Sequence, residues 1–121
     1  MPRILIAGLG SIGIRHLNNL LQLGVKDILL LRTTNEAVKE APHLPVFTDL
    51  QNALRQKPDA VIVSNPTSHH LDVALAAAKA GCHLFIEKPL SHTWTGVNEL
   101  LAVVKERQII GMVGFDMHFD P

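Results

Sequence analysis

The stretch Arg3-Ile4-Leu5-Ile6-Ala7-Gly8-Leu9-Gly10-Ser11-Ile12-Gly13 decides the fold. Residues 3–7 form a short apolar run stopped by glycine, which predicts a buried strand. After the glycines, Gly13, Leu17, Leu20, Leu21 and Gly24 recur at helical spacing over residues 11–23. Gly24 suits the end of that helix. A strand that runs through glycines straight into a helix is the start of a βαβ unit.

The same alternation continues outward. Residues 27–31 read as a second apolar strand. A ragged stretch, 32–45, holds two prolines and leaves room for a short helix around 36–39. Val46 and Phe47 form a minimal third strand. Thr48 is expected to cap a helix through about residue 56, with Leu50, Ala53 and Leu54 inward. Residues 60–64 are a fourth strand, broken by Pro66. Thr67 or Ser68 caps a helix to Ala80, with Leu71, Ala74, Leu75 and Ala78 inward, and Gly81 ends it. Residues 83–86 are the fifth strand. Ser91 caps a last helix to about residue 107, with Trp94, Val97, Leu101 and Val104 on one face. Residues 109–115 are the sixth strand. Strands apolar throughout are buried on both faces, as in a parallel sheet. The expected fold class is α/β: a doubly wound parallel sheet of six strands with flanking helices, three layers αβα. Residues 1–121 form one domain.

The glycines point to a ligand. Gly8-Leu9-Gly10-Ser11-Ile12-Gly13 fits the G-x-G-x-x-G dinucleotide pattern, in the strand-to-helix context that the pattern requires. Gly8 permits the tight turn. Gly10 lets a pyrophosphate approach the backbone. Gly13 lets helix and strand pack closely. The helix start at Ser11 and Ile12 offers free N–H groups and partial positive charge to phosphates. This is a Rossmann fold reading, with NAD or NADP as the cofactor. NAD binders usually carry an acidic residue at the end of the second strand. Here that end reads Leu31-Arg32-Thr33-Thr34, with Arg32 19 residues after Gly13. A guanidinium suits a 2′-phosphate, and Thr33 and Thr34 add hydroxyls. NADP is therefore favoured over NAD.

Three further motifs carry a resemblance. They are Asn65-Pro66-Thr67-Ser68-His69-His70, Glu87-Lys88-Pro89 and the closing segment from Gly114 to Pro121. With the glycine turn, they make the chain resemble the N-terminal cofactor domain of the Gfo/Idh/MocA oxidoreductases, named for glucose–fructose oxidoreductase and inositol dehydrogenase. The resemblance implies hydride transfer between NAD(P) and a sugar or polyol. It implies Lys88 as the catalytic residue, beside the nicotinamide and the substrate hydroxyl. It implies that Glu87 orients the cofactor and that Asn65, Pro66 and His70 line the nicotinamide side. The family usually carries Asn and Arg where this chain has Asp116 and His118, so the basic group expected there is replaced by a titratable one. Family members run to about twice this length, into a substrate domain. The expectation is therefore a fragment without that C-terminal domain, inactive alone and prone to self-association as a homo-oligomer. The alternative is a non-catalytic dinucleotide sensor or regulatory module, in which Lys88 has no chemical duty.

Composition bounds the rest. Eleven basic and eleven acidic residues cancel, so no charge imbalance suggests nucleic acid. No apolar run approaches the roughly 18 residues of a membrane span, and the apolar start is too short for a signal peptide. One cysteine, Cys82, excludes an internal disulfide and fits a reducing cytoplasm. The seven histidines show no ligand spacing, so no metal is expected. His83 reads as a core group, Cys82 as a small buried residue and His16 as a packing or locally hydrogen-bonded residue. The absence of Gly-x-Ser-x-Gly removes a hydrolase reading. Arg32 disfavours a methyltransferase, which would want an acid at that strand end.

Overall fold

The computed structural model describes residues 2–64, 67–87, 105, 106, 108 and 111–114. Six strands form one sheet: β1 Ile4–Ala7, β2 Ile28–Leu31, β3 Val46–Phe47, β4 Ala60–Val63, β5 His83–Glu87 and β6 Gly111–Gly114. Their order is β3-β2-β1-β4-β5-β6, and every neighbouring pair is parallel. The order reverses between β1 and β4, which pair in register from Ile4 with Ala60 to Ala7 with Val63. In open parallel sheets, such a reversal leaves a crevice at the carboxyl ends of the two strands.

Both faces of the sheet are covered. Leu5, Ala7, Val61, Val63, Leu84 and Ile86 face one way, against Ala53 and Leu54 of α2 (Leu50–Leu54) and Val73, Ala74, Ala77 and Ala78 of α3 (Thr67–Lys79). Ile6, Ile28 and Leu30 face the other way, against Leu17 of α1 (Ser11–Gln22) and the loop residues Val38, Ala41 and Leu44. Alternating side chains of one strand therefore feed two cores, as the two-residue period of a strand requires. The result is the expected doubly wound, three-layer α/β fold.

The helix ends follow from glycine. Past α1, Gly24 takes a φ of +83°, its N–H bonds the Leu21 carbonyl at 3.1 Å, and Val25 N–H bonds Leu20 at 3.0 Å. Past α3, Gly81 at φ +86° does the same, bonding Ala78, while Cys82 bonds Ala77. These paired bonds are Schellman closures, which satisfy carbonyls the helix leaves over.

Four sequence expectations are corrected. No helix forms over residues 36–39. That loop instead buries Val38, Ala41 and Leu44 through single turns, with Ala41 N–H on Val38 O and Leu44 N–H on Ala41 O. The cap of α2 is Asp49, whose carboxylate accepts from Asn52 N–H at 3.2 Å, and not Thr48. The buried face of α3 includes Val73 and Ala77, with Leu75 only partly covered. Small alanines let that helix lie close on the sheet. His83 is exposed at the amino end of β5 rather than in the core. The expected helix from Ser91 to Arg107 falls outside the described residues except Lys105 and Glu106, which are helical.

Candidate functional site

The glycine turn leaves the carboxyl end of β1 beside the crevice, and its three glycines are glycine for different reasons. Gly8 has a φ of +103°, a conformation other residues rarely adopt, and its N–H bonds the Leu31 carbonyl of β2 at 3.0 Å. Gly13 is buried where α1 crosses the turn. A Cβ there would overlap the carbonyl oxygen of Gly8, lie 2.9 Å from its carbon and 3.1 Å from Ser64 Oγ. Gly10 caps α1 with φ −71° and ψ −167°, which any residue can adopt, and a Cβ there would meet nothing within 4 Å. Among the described residues, neither backbone conformation nor packing requires glycine at position 10.

The first helical hydrogen bond runs from Ile14 N–H to Gly10 O at 2.9 Å. The N–H groups of Leu9, Gly10, Ser11, Ile12 and Gly13 find no acceptor among the described residues. These are the unpaired donors of a helix start, extended by the turn before it. No side chain caps them. Ser11 is exposed, and so is Ile12, a large apolar side chain 39% accessible at the rim.

Arg32 stands at the end of the neighbouring strand. Its backbone N–H extends the ladder to Phe47 O at 3.0 Å, and its guanidinium donates to the Glu36 carbonyl at 3.1 Å. No carboxylate among the described residues lies within ion-pair distance of it. A cavity of about 330 Å³ opens here, lined by Leu9 and Ile14 from the turn and helix, Arg32 from the strand, and residues 36–40 of the loop. The fold thus brings the turn and Arg32 together. Thr33 and Thr34 are exposed in the bend beyond and do not line the cavity. His70 lies in the first turn of α3, and Glu87 ends β5, paired with Gly114. Asn65, Pro66, Lys88, Asp116 and His118 lie outside the described residues.

One contact escaped the sequence reading. Ser64, the residue after β4, donates its hydroxyl to Gly8 O at 2.8 Å, with Ala7 O at 3.3 Å. Its only sequence signal is a hydroxyl at the end of an apolar strand. Two other residues sit as the sequence suggests. Cys82 is buried, and burial, with the Asp59 charge second, raises its thiol pKa, which disfavours the reactive thiolate. His16 packs edge-on against Phe85, ring centroids 5.5 Å apart. Among the described residues, no cluster of metal-ligating side chains occurs and no helix is long and apolar enough to cross a membrane.

A parallel sheet in this order, with a glycine turn at its reversal point, defines a dinucleotide-binding class of fold. The chain belongs to the GFO_IDH_MocA oxidoreductase family with an NAD-binding Rossmann fold, whose model matches residues 2–115. It is 34% identical over 98% of its length to a 4-carboxy-2-hydroxymuconate-6-semialdehyde dehydrogenase of Sphingobium sp., covering 40% of that protein. It is 32% identical over 98% of its length to a scyllo-inositol 2-dehydrogenase (NAD(+)) of Bacillus subtilis, covering 37% of it. Among solved structures, a myo-inositol 2-dehydrogenase from Lactobacillus plantarum superposes with a TM-score of 0.86 at 28% identity, over 98% of this chain and 38% of that one. The chain therefore spans about two fifths of the length of the relatives it matches. It is a nicotinamide-cofactor domain of an oxidoreductase family, and these named relatives are dehydrogenases rather than sensors.

Proposed function

We propose that this chain holds a nicotinamide dinucleotide at the glycine turn, as the cofactor-binding part of an oxidoreductase acting on the CH–OH group of a sugar or polyol. The observation that carries this reading is the open Gly10. Backbone conformation accounts for Gly8 and close packing for Gly13, but no contact among the described residues accounts for Gly10. An open glycine beside five N–H groups without acceptors suits a pyrophosphate that must reach the backbone. When bound, the dinucleotide supplies the hydride chemistry. The protein's residues bind it, orient it and manage the proton. In this reading Lys88 bonds the substrate hydroxyl and relays its proton. Glu87 orients the cofactor, and Asn65, Pro66 and His70 border the nicotinamide.

Within that reading, Arg32 favours NADP. Its guanidinium lines the cavity beside the turn, and Lys39 lines the same cavity. Glu36 and Glu40 line it too, so the four formal charges cancel. A preference must then come from direct contact with the guanidinium rather than from the field of the loop. The inositol dehydrogenase relative carries NAD(+) in its name, which makes the experiment decisive. NADPH and NADH are titrated against the parent chain and Arg32→Asp. The parent is expected to prefer NADPH and the variant NADH; equal parental affinities would remove the preference.

The 121-residue chain tested alone is expected to bind without turnover, because a partial pocket does not position a substrate. Steady-state polyol oxidation at the rate of a full-length relative would refute that. The expected homo-oligomer is checked by the solution mass of the same sample.

A further inference from the structure

We infer that Ser64 is a positioning residue for the dinucleotide: its hydroxyl sets the direction of the first free N–H of the glycine turn. The inference rests on the proposed binding at that turn. Ala7 pairs with Val63, so Gly8 and Ser64 are the next residues outward on the two strands where the sheet order reverses. Ser64 N–H continues the ladder to Ala7 O at 2.8 Å, which leaves the hydroxyl free to reach the turn. The hydroxyl takes Gly8 O as its nearer acceptor, 2.8 Å against 3.3 Å for Ala7 O.

The direction follows from peptide geometry. The unit joining residues 8 and 9 is planar and trans, so its carbonyl and N–H point in opposite directions. Holding Gly8 O toward β4 turns Leu9 N–H away from β4. Leu9 N–H has no acceptor among the described residues, and Leu9 lines the cavity that also holds Arg32. Gly8 at φ +103° does not fix that plane by itself, because glycine has wide conformational freedom. Gly13 completes the arrangement. With no side chain it leaves space for both Gly8 O and Ser64 Oγ, each of which a Cβ would crowd. Gly8, Gly13 and the sequence-distant Ser64 thus lock one peptide plane.

The test compares Ser64→Ala with the parent chain, using NADPH and ADP as ligands because both carry a pyrophosphate. One hydrogen bond corresponds to roughly 3- to 10-fold in an equilibrium constant. Ser64→Ala is expected to weaken both ligands by about that factor, and Ser64→Thr, which keeps the hydroxyl, to restore binding to within about twofold. In the parent, NADPH is expected to move the amide proton resonance of Leu9 downfield; in folded Ser64→Ala that movement is expected to shrink, which a purely stabilising serine would not cause. If Ser64→Ala does not fold, Ser64→Cys replaces it, because a thiol is a weak donor. A folded variant without the hydroxyl that binds like the parent, with an unchanged Leu9 response, overturns the inference alone. A parent chain that binds neither NADPH nor NADH overturns the reading beneath it as well.

Discussion

The two ends of the sheet treat their polar groups in opposite ways. At the amino end Arg3 is paired within the protein through both its backbone and its side chain. Arg3 Nε reaches both carboxylate oxygens of Asp27 at 3.1 Å, and its Nη1 donates to Gln56 O at 2.6 Å. Arg3 N–H donates to the Asp59 carboxylate at 2.7 Å, and Arg3 O accepts from Asp59 N–H at 2.7 Å. One residue, through side chain and backbone, ties the entries of β1, β2 and β4 together. At the carboxyl end of the same strands, five successive N–H groups have no acceptor among the described residues, and Gly10 stands open. Parallel strands put every helix start at that end, so the unpaired donors collect there. The amino end ties the sheet together, while the carboxyl end carries the donors assigned to the proposed dinucleotide.

Substitutions at the two ends should therefore separate stability from binding. The largest effect is expected from Gly13→Ala. Its methyl meets a backbone carbonyl rather than a movable side chain, so overpacking should cost about 3 kcal/mol in urea unfolding and abolish dinucleotide binding. Gly10→Ala sharpens the contrast. Its stability should fall by less than about 1 kcal/mol, the scale of a helix-cap change. Its NADPH affinity should fall by about tenfold or more, measured by calorimetry, because the methyl occupies the pyrophosphate's approach. A parent-like affinity in Gly10→Ala would break the comparison.

Arg3→Ala is the reverse case. The ion pair is 41% and 39% exposed, so solvent screens it, and the loss should be about 1 kcal/mol in unfolding with NADPH affinity unchanged. Smallest is Lys57→Gly, at the exposed bend before β4. Lys57 has a φ of +57°, so glycine should raise stability by about 0.5 kcal/mol, read as a small rise in Tm without change in binding. An altered affinity in either variant would show that the amino end reaches the site.

Local patterns made most of the fold legible. The four-residue apolar runs of β1, β2 and β4, and the glycines that end α1 and α3, act through their immediate neighbours. The short minimal strand at Val46 and Phe47 was readable because Pro45 and Thr48 bracket it. The loop after β2 was not: its burial of Val38, Ala41 and Leu44 depends on α1, which is distant in sequence. The buried face of α3 was misjudged because several alanines on different sides can each serve, and the sheet selects among them.

For the site, the sequence alone determined the glycine turn, the strand-to-helix context around it and an arginine in place of the usual acid at the end of β2. Those depend on residue type and short spacing, which a linear reading captures. Only the tertiary structure decided which glycine is free of internal demand, that Arg32 shares a cavity with the turn, and that Ser64 holds Gly8. Each of those depends on how segments distant in the chain are arranged, and that geometry exists only once β1, β2 and β4 lie side by side.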